Sequence, residues 1–209
     1  TSRCDLVRDN DCKFIKMGVG KSGHIGQKIS ATLSSTGTGS IFIHPTEAAH
    51  GDMGLIEKND IVLLISNSGE TDEIINIIPS LKRLSFKIAS LTSNKKSTIA
   101  RSSDIPIVIN SEKEACPHNL APTSSTTSAL AFGDALAIAL LESKGFTKTD
   151  FASSHPAGKL GKKLITQVHN IMHKGKDIPS VGQNTLLSKA LIEITEKNLG
   201  ITLIKNKSK

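Results

Sequence analysis

Apolar positions along this chain follow two rhythms. Short, nearly continuous apolar runs recur at Phe14–Met17, Ser40–Ile43, Asp60–Ser66, Lys87–Thr92 and Ile105–Ile109, the pattern of strands buried on both faces. Between them helical spacing takes over: Ile25, Ile29 and Leu33 predict a helix over about 23–34, and another is expected over about 71–84. The segment Thr126–Ser143 is apolar almost all round, with Gly145 just past its end as a stop; such a helix belongs in a core or a subunit interface. Residues 46–54 read as a short helical turn broken by glycines, and 111–125 as an irregular stretch with two prolines. Strands alternating with helices predict an α/β fold, a three-layer sandwich around a five-stranded parallel sheet. Ligands of such sheets sit at the carboxyl ends of the strands.

From Val168 the texture changes. A helix is expected at Leu186–Lys197 and a terminal strand at Ile201–Ile204, a unit of about 40 residues, too short for an independent core. The boundary is placed near 167, giving a lead-in over 1–13, a principal domain over 14–167 and a partial unit over 168–209. The chain opens at Thr1 in a polar stretch and reads as incomplete at the front. Aromatic residues are only 3%, with no Trp or Tyr, so bases have little to stack on and no nucleic-acid partner is expected. The formal charge of +7 suits an anionic ligand, although Lys205, Lys207 and Lys209 at the chain end supply part of it. Three cysteines, Cys4, Cys12 and Cys116, with no CxxC, indicate neither a disulfide framework nor a zinc cage and point to a reducing, cytoplasmic compartment. No apolar run reaches the roughly 18 residues of a membrane span, so no membrane association is expected.

Two strand ends carry candidate chemistry. In FIKMGVGKSGHIG (14–26) an apolar run breaks into a glycine turn with Lys21 and Ser22 and then a helix, a geometry that aims backbone N–H groups at an anion, usually a phosphate. Gly18, Gly20 and Gly23 fit the dinucleotide fingerprint, but that reading wants an acidic residue about 20 positions on, and the end of the second strand offers His44. A Walker A loop ending at Ser22 would need glycine where Ile15 stands. NAD and ATP are both disfavoured; an unliganded tight turn would leave Lys21 and Ser22 unexplained. SNSGET (66–71) follows the third strand and precedes a helix, where Ser66, Ser68 and Thr71 can wrap a phosphate, or Ser68 or Thr71 can simply cap the helix.

Taken together, GVGKSGHIG, HPTEAAHGDMG, ISNSGET, KEACPHNLAPTSSTT and SHPAGKLG resemble, in this order, the sugar isomerase (SIS) domain of the D-arabinose 5-phosphate isomerases, over about Phe14 to Leu164. The trailing segment resembles the start of the CBS-domain pair that commonly follows. The resemblance implies a flavodoxin-like SIS sandwich with a truncated CBS segment. It implies an aldose–ketose isomerase interconverting D-ribulose 5-phosphate and D-arabinose 5-phosphate, supplying the lipopolysaccharide sugar Kdo. It also implies a homotetramer with sites shared between subunits. The alternatives are a non-catalytic phosphosugar-binding SIS sensor and an inactive, truncated isomerase.

Such a reaction moves one proton between C1 and C2 and another between their oxygens through an enediol(ate); it needs a base, an acid and a group to hold developing charge, and no cofactor. By resemblance Lys21, His50, Glu73, Glu114 and His155 are the catalytic positions, with the C1/C2 base left open among Glu73, Glu114 and His155. Glu114, beside Cys116 and Pro117, is expected to be desolvated with a raised pKa. Ser22, Gly37, Thr38, His44, Ser66, Ser68 and Thr71 are the expected substrate and phosphate ligands. His44 and His50 supply imidazoles of the kind zinc takes, and His44 is read as an inhibitory or adventitious zinc ligand. Singly, each of these residues has an ordinary reading as a helix-end charge, a solvated loop residue or a turn residue; their joint occurrence lifts them.

Overall fold

The computed structural model describes residues 12–84, 86–156 and 158–206; the expected lead-in, apart from Cys12 and Lys13, lies outside them, as do Cys4, Lys207 and Lys209. The chain divides into two compact units, one ending at Gly161 and the other beginning at Lys162, a few residues before the boundary expected near 167.

In the first unit the strands are β1 (Phe14–Gly18), β2 (Ser40–Phe42), β3 (Ile61–Ile65), β4 (Lys87–Thr92) and β5 (Ile105–Val108). All pair in parallel, in the order β2-β1-β3-β4-β5. This is the flavodoxin-like order; the parallel pairing follows from strands whose two faces are both apolar and must both be covered. The helices are α1 (Gly20–Ser35), α2 (Pro45–Ala49), α3 (Asp72–Ile75), α4 (Ile78–Arg83), α5 (Thr98–Ser102), α6 (Ser124–Ser143) and α7 (Lys148–Ser154).

Alternation along the strands sorts the core into two layers. Ile15, Met17, Val62, Leu64 and Ile88 pack with Ile74, Ile78, Leu81 and Ile99 of α3–α5 on one face. Phe14, Leu63, Ile65, Ala89 and Leu91 pack with Ile29 and Leu33 of α1 and Ala137 and Leu140 of α6 on the other. The three-layer sandwich is as the apolar pattern predicts. Where β3 begins, fully buried Asp60 takes the backbone N–H groups of Lys13 (2.7 Å) and Glu57 (2.9 Å), tying the starts of β1 and β3 together.

Several boundaries differ for identifiable reasons. α1 begins at Gly20, a turn earlier than expected, so Lys21 and Ser22 sit in its first turn. The helix expected over 71–84 is two short helices, α3 and α4. Pro79 has no N–H to donate to the carbonyl of Ile75, and its ring would clash there.

The long helix α6 is only 22% buried over its most apolar stretch, with Ile138 half exposed. Among the described residues it is the one helix long and apolar enough to cross a membrane by length and composition, which corrects the expectation that no such stretch exists. It packs along α1 at Gly133, where a Cβ would lie 2.3 Å from Ile29, and Asp134 is ion-paired with Lys28. Those contacts make it one layer of the sandwich, with its outer side uncovered.

After α8 (Lys159–Ile165) and α9 (Val168–Ile171), the second unit contains β6 (Ser180–Gly182), α10 (Leu187–Lys197) and β7 (Leu203–Lys205), with β6 and β7 parallel. Leu187, Leu191, Ile192, Leu203 and Ile204 are exposed, in keeping with a unit too small to close its own core.

Candidate active site

A cavity of about 310 Å³ opens at the carboxyl ends of β3, β4 and β5, between the first turns of α1 and α6. Of the residues singled out from sequence, Ser22 and Glu114 line it. Asn67, Thr92, Ser111, Lys113, Asn119, Ser125 and Thr126 also line it; sequence reading gave none of them a role, although the hydroxyl cluster opening α6 was a visible signal for the last two.

Glu114 is placed by a loop that binds itself. Its backbone N–H donates to the Asn119 side-chain oxygen (2.7 Å), and the N–H of Ala115 donates to the Thr123 hydroxyl (2.9 Å). Asn119 takes a left-handed conformation, φ 54°. The carboxylate in turn accepts from the Thr123 N–H (2.6 Å), the Thr123 hydroxyl (3.0 Å) and the Ser125 N–H (3.3 Å), all through Oε2. The N-terminus of α6 is thereby capped by a glutamate nine residues upstream.

The Ser125 hydroxyl beside it, which makes no hydrogen bond of good geometry, together with the Thr123 and Ser125 donors, holds the carboxyl down at about 2. This corrects the expectation of a raised value: donors at a helix N-terminus stabilise the anion and outweigh what little desolvation there is. The same loop folds around Cys116, a half-buried free thiol that the N–H groups of Ala121, Leu120 and His118 hold below the usual range.

By contrast, the N-terminus of α1 has no side-chain cap and no acidic residue in its first turn. Its N–H groups, with exposed Lys21 and half-buried Ser22 beside them, are free to meet an anion.

The Ser66–Thr71 loop is locked from within. Ser66 Oγ accepts from the Gly69 N–H (3.0 Å) and lies 2.8 Å from Thr71 Oγ1; Ser68 Oγ accepts from the Glu70 N–H (3.2 Å). Thr71 is the N-cap residue of α3, but neither its side chain nor that of Ser68 caps the helix. The carbonyl of Asn67 receives the hydroxyls of Thr92 (3.0 Å) and Ser93 (2.7 Å), and the Glu70 carboxylate receives the Thr98 N–H (2.8 Å). Gly69 has φ +69°, and a Cβ there would lie 2.1 Å from Ser97 Oγ and 2.8 Å from Thr92 Oγ1. Gly69→Ala is expected to lower stability by about 2 kcal/mol or more through strain and displacement of the loop. Urea unfolding checks this; an unchanged midpoint would show that the loop yields freely.

The remaining candidates fall into three places. Glu73 is exposed in the first turn of α3, on the same sheet edge as the cavity but outside its lining. His44 and His50 flank α2 beyond the edge strand β2; His50 is exposed.

The Nδ1 of His44 accepts from the Thr46 N–H (3.3 Å), capping α2. That capping role needs a lone pair on Nδ1, which puts the proton of the neutral ring on Nε2, so the capping tautomer offers no nitrogen to a metal. Among the described residues no group of three His, Cys, Asp or Glu is placed to hold a metal ion. The zinc reading of His44 therefore finds no support in the geometry.

Gly37, Thr38 and His155 lie at the opposite end of the sheet. α1, 16 residues long, carries the chain roughly 24 Å from the cavity. Gly37 packs on Phe146 and Thr38 is buried. His155 stacks on Phe151 at 4.0 Å with Nδ1 2.9 Å from that residue's carbonyl, while neighbouring Ser154 donates to the carbonyl of Ser35 (3.3 Å). Gly37 and Thr38 are thus corrected as ligands of this cavity, and one chain does not gather the five expected catalytic residues.

Comparison with known proteins agrees with this architecture. The chain is 52% identical over 208 residues to the arabinose 5-phosphate isomerase KdsD of Salmonella typhi, covering 100% of this chain and 63% of that protein. Against the protein of the same name from Pseudomonas aeruginosa it is 51% identical over 201 residues, 96% of this chain and 62% of the relative. The chain spans less than two thirds of the length of these relatives. A solved structure from E. coli CFT073, in complex with arabinose 5-phosphate, superposes with a TM-score of 0.69 at 45% identity, over 73% of this chain and 81% of that one. The SIS domain matches residues 8–139, which include all five strands and the loops that shape the cavity, and the chain belongs to the SIS domain family.

Proposed function

We propose that the chain forms the isomerase domain of an enzyme interconverting D-ribulose 5-phosphate and D-arabinose 5-phosphate, feeding synthesis of the lipopolysaccharide sugar Kdo in the cytoplasm. The observation that carries this reading is Glu114: of the three residues between which the C1/C2 base was left open, it alone lines the cavity. All three of its hydrogen bonds fall on Oε2, which leaves Oε1 to take a proton from carbon. The volume is at the lower end of ligand pockets, roughly 300–1,000 Å³, and suits a five-carbon sugar phosphate.

In this reading the uncapped N-terminus of α1, with Ser22, receives the phosphate, and the turn that carries Ser66, Ser68 and Thr71 borders it through Asn67, which lines the cavity. Glu114 moves the proton between C1 and C2, and Lys21 holds the enediolate oxygen or the phosphate. His155, at the far end of its own chain, joins the site from another subunit of a homotetramer, as do the residues outside the cavity lining, His50 and Glu73, where assembly brings them in. The uncovered apolar side of α6 supports such an assembly. Proton transfer between neighbouring carbons requires no cofactor. The βαβ arrangement of the second unit supports reading it as the opening of a CBS domain.

The test is coupled turnover. The purified, folded protein is expected to convert ribulose 5-phosphate to arabinose 5-phosphate; a folded oligomer that binds the ketose and yields no aldose overturns the proposal.

A further inference from the structure

We propose that Thr123 is the positioning residue of the Glu114 carboxylate, fixing one oxygen through its hydroxyl so that the other faces the cavity. The inference deepens the reading given above, on which the catalytic role of Glu114 rests. A hydroxyl has one proton to give. Here the Ala115 N–H points at the Thr123 oxygen (2.9 Å), so that oxygen is an acceptor on one side. Its proton has two acceptors in reach, Glu114 Oε2 at 3.0 Å and the Ala121 carbonyl at 3.4 Å. The shorter contact, to an anion, is the stronger.

Thr123 therefore grips both the main chain just after Glu114 and the end of its side chain. With the main chain fixed at Ala115 and Oε2 fixed at the other end, three rotatable bonds leave little freedom to Oε1, which among the described residues has no hydrogen bond of its own. Capping α6 does not explain the hydroxyl. Thr123 is the N-cap residue of α6, yet its side chain accepts from none of the N–H groups of the first turn; the N–H groups of Thr123 and Ser125 go to the carboxylate instead (2.6 and 3.3 Å). The hydroxyl adds a third bond to the same oxygen, which a cap does not need but a fixed carboxylate does.

Thr123→Val keeps the branched shape and the backbone N–H and deletes the hydroxyl, removing together its bond to the carboxylate and its acceptance of the Ala115 N–H; Thr123→Ser returns both. With Thr123→Val, kcat is expected to fall about tenfold or more, the worth of one charge-assisted hydrogen bond, with KM little changed. The Glu114 carboxyl, followed by carbon-13 NMR, is expected to titrate above its value of about 2; Thr123→Ser is expected to restore both. A valine variant whose Glu114 titration is unmoved, or whose folded fraction falls while kcat per folded site holds, overturns the proposal. The NMR titration needs no turnover. Absence of isomerase activity in the parent protein would refute the functional reading, while the titration would still decide whether Thr123 holds the carboxylate.

Discussion

Replacing Lys16 with methionine is expected to stabilise the protein, by roughly 2–4 kcal/mol at pH 7. Lys16 is fully buried in the middle of β1, on the face that packs against α1 and α6, since its neighbour two residues back, Phe14, belongs to that layer. Its Nζ donates to the Phe14 carbonyl (2.6 Å) and lies 4.8 Å from the centre of the Phe14 ring. It takes part in none of the ion pairs among the described residues, and burial pushes the amine down to about 6.

The sign follows from proton counting. Between about pH 6 and the unfolded value of 10.5 the unfolded chain holds a proton that the folded chain has shed. Stability therefore rises with pH across that window, by up to about 1.4 kcal/mol per unit, and levels off below it. Methionine fills a similar volume and leaves no orphan, because the Phe14 carbonyl keeps the Ser40 hydroxyl (2.9 Å). Urea unfolding from pH 6 to 10 should show the parent gaining stability with pH while the slope shrinks in Lys16→Met. A variant no more stable at pH 7, with an unchanged slope, would mean that the amine is solvated in the native state.

That lysine also shows where pattern reading stops. FIKMG scores as an apolar strand because one polar residue in five does not break the run, and nothing in the spacing says that Lys16 points inward. The sheet itself was legible. Ile61–Ile65 and Lys87–Thr92 are apolar on both faces, and only a parallel sheet covered by helices on both sides satisfies that.

The break between Ile75 and Ile78 was also in the letters, at Pro79, but the apolar spacing runs straight across it. His155 was drawn towards the site by motif order, and Gly37 and Thr38 by the family resemblance alone; neither carries information about which end of the sheet a residue occupies. The length of α1 does carry it: a helix that starts at the carboxyl edge must end at the opposite one. The ionisation of Glu114 was beyond the sequence for another reason. Its partners, Thr123 and Ser125, become neighbours only because the loop turns back on itself at Asn119. Local composition, with Cys116 and Pro117 adjacent, pointed to a drier site than the one that forms.

The second large effect is expected at that residue. Glu114→Gln should reduce kcat by about 10²–10⁴ while KM changes little. The amide keeps an oxygen to accept from the Thr123 N–H and hydroxyl, so α6 retains its cap and the loop its course, but no atom remains that can take a proton from carbon. Loss of turnover with binding retained separates a proton-transfer role from a purely electrostatic one; an equal loss in both would mean that Glu114 only holds the substrate.

Stability against pH provides an independent check. The carboxyl sits near 2 in the folded protein against an ordinary 4.5, so its stabilisation is complete above the unfolded value and disappears as pH falls through the folded one. Parent and Glu114→Gln should therefore differ in unfolding midpoint near neutrality and converge between about pH 4.5 and 2. Should the difference persist unchanged to pH 2, the carboxylate is not anchored by these donors, and the fixed Oε1 on which the proposed chemistry rests would have no physical basis.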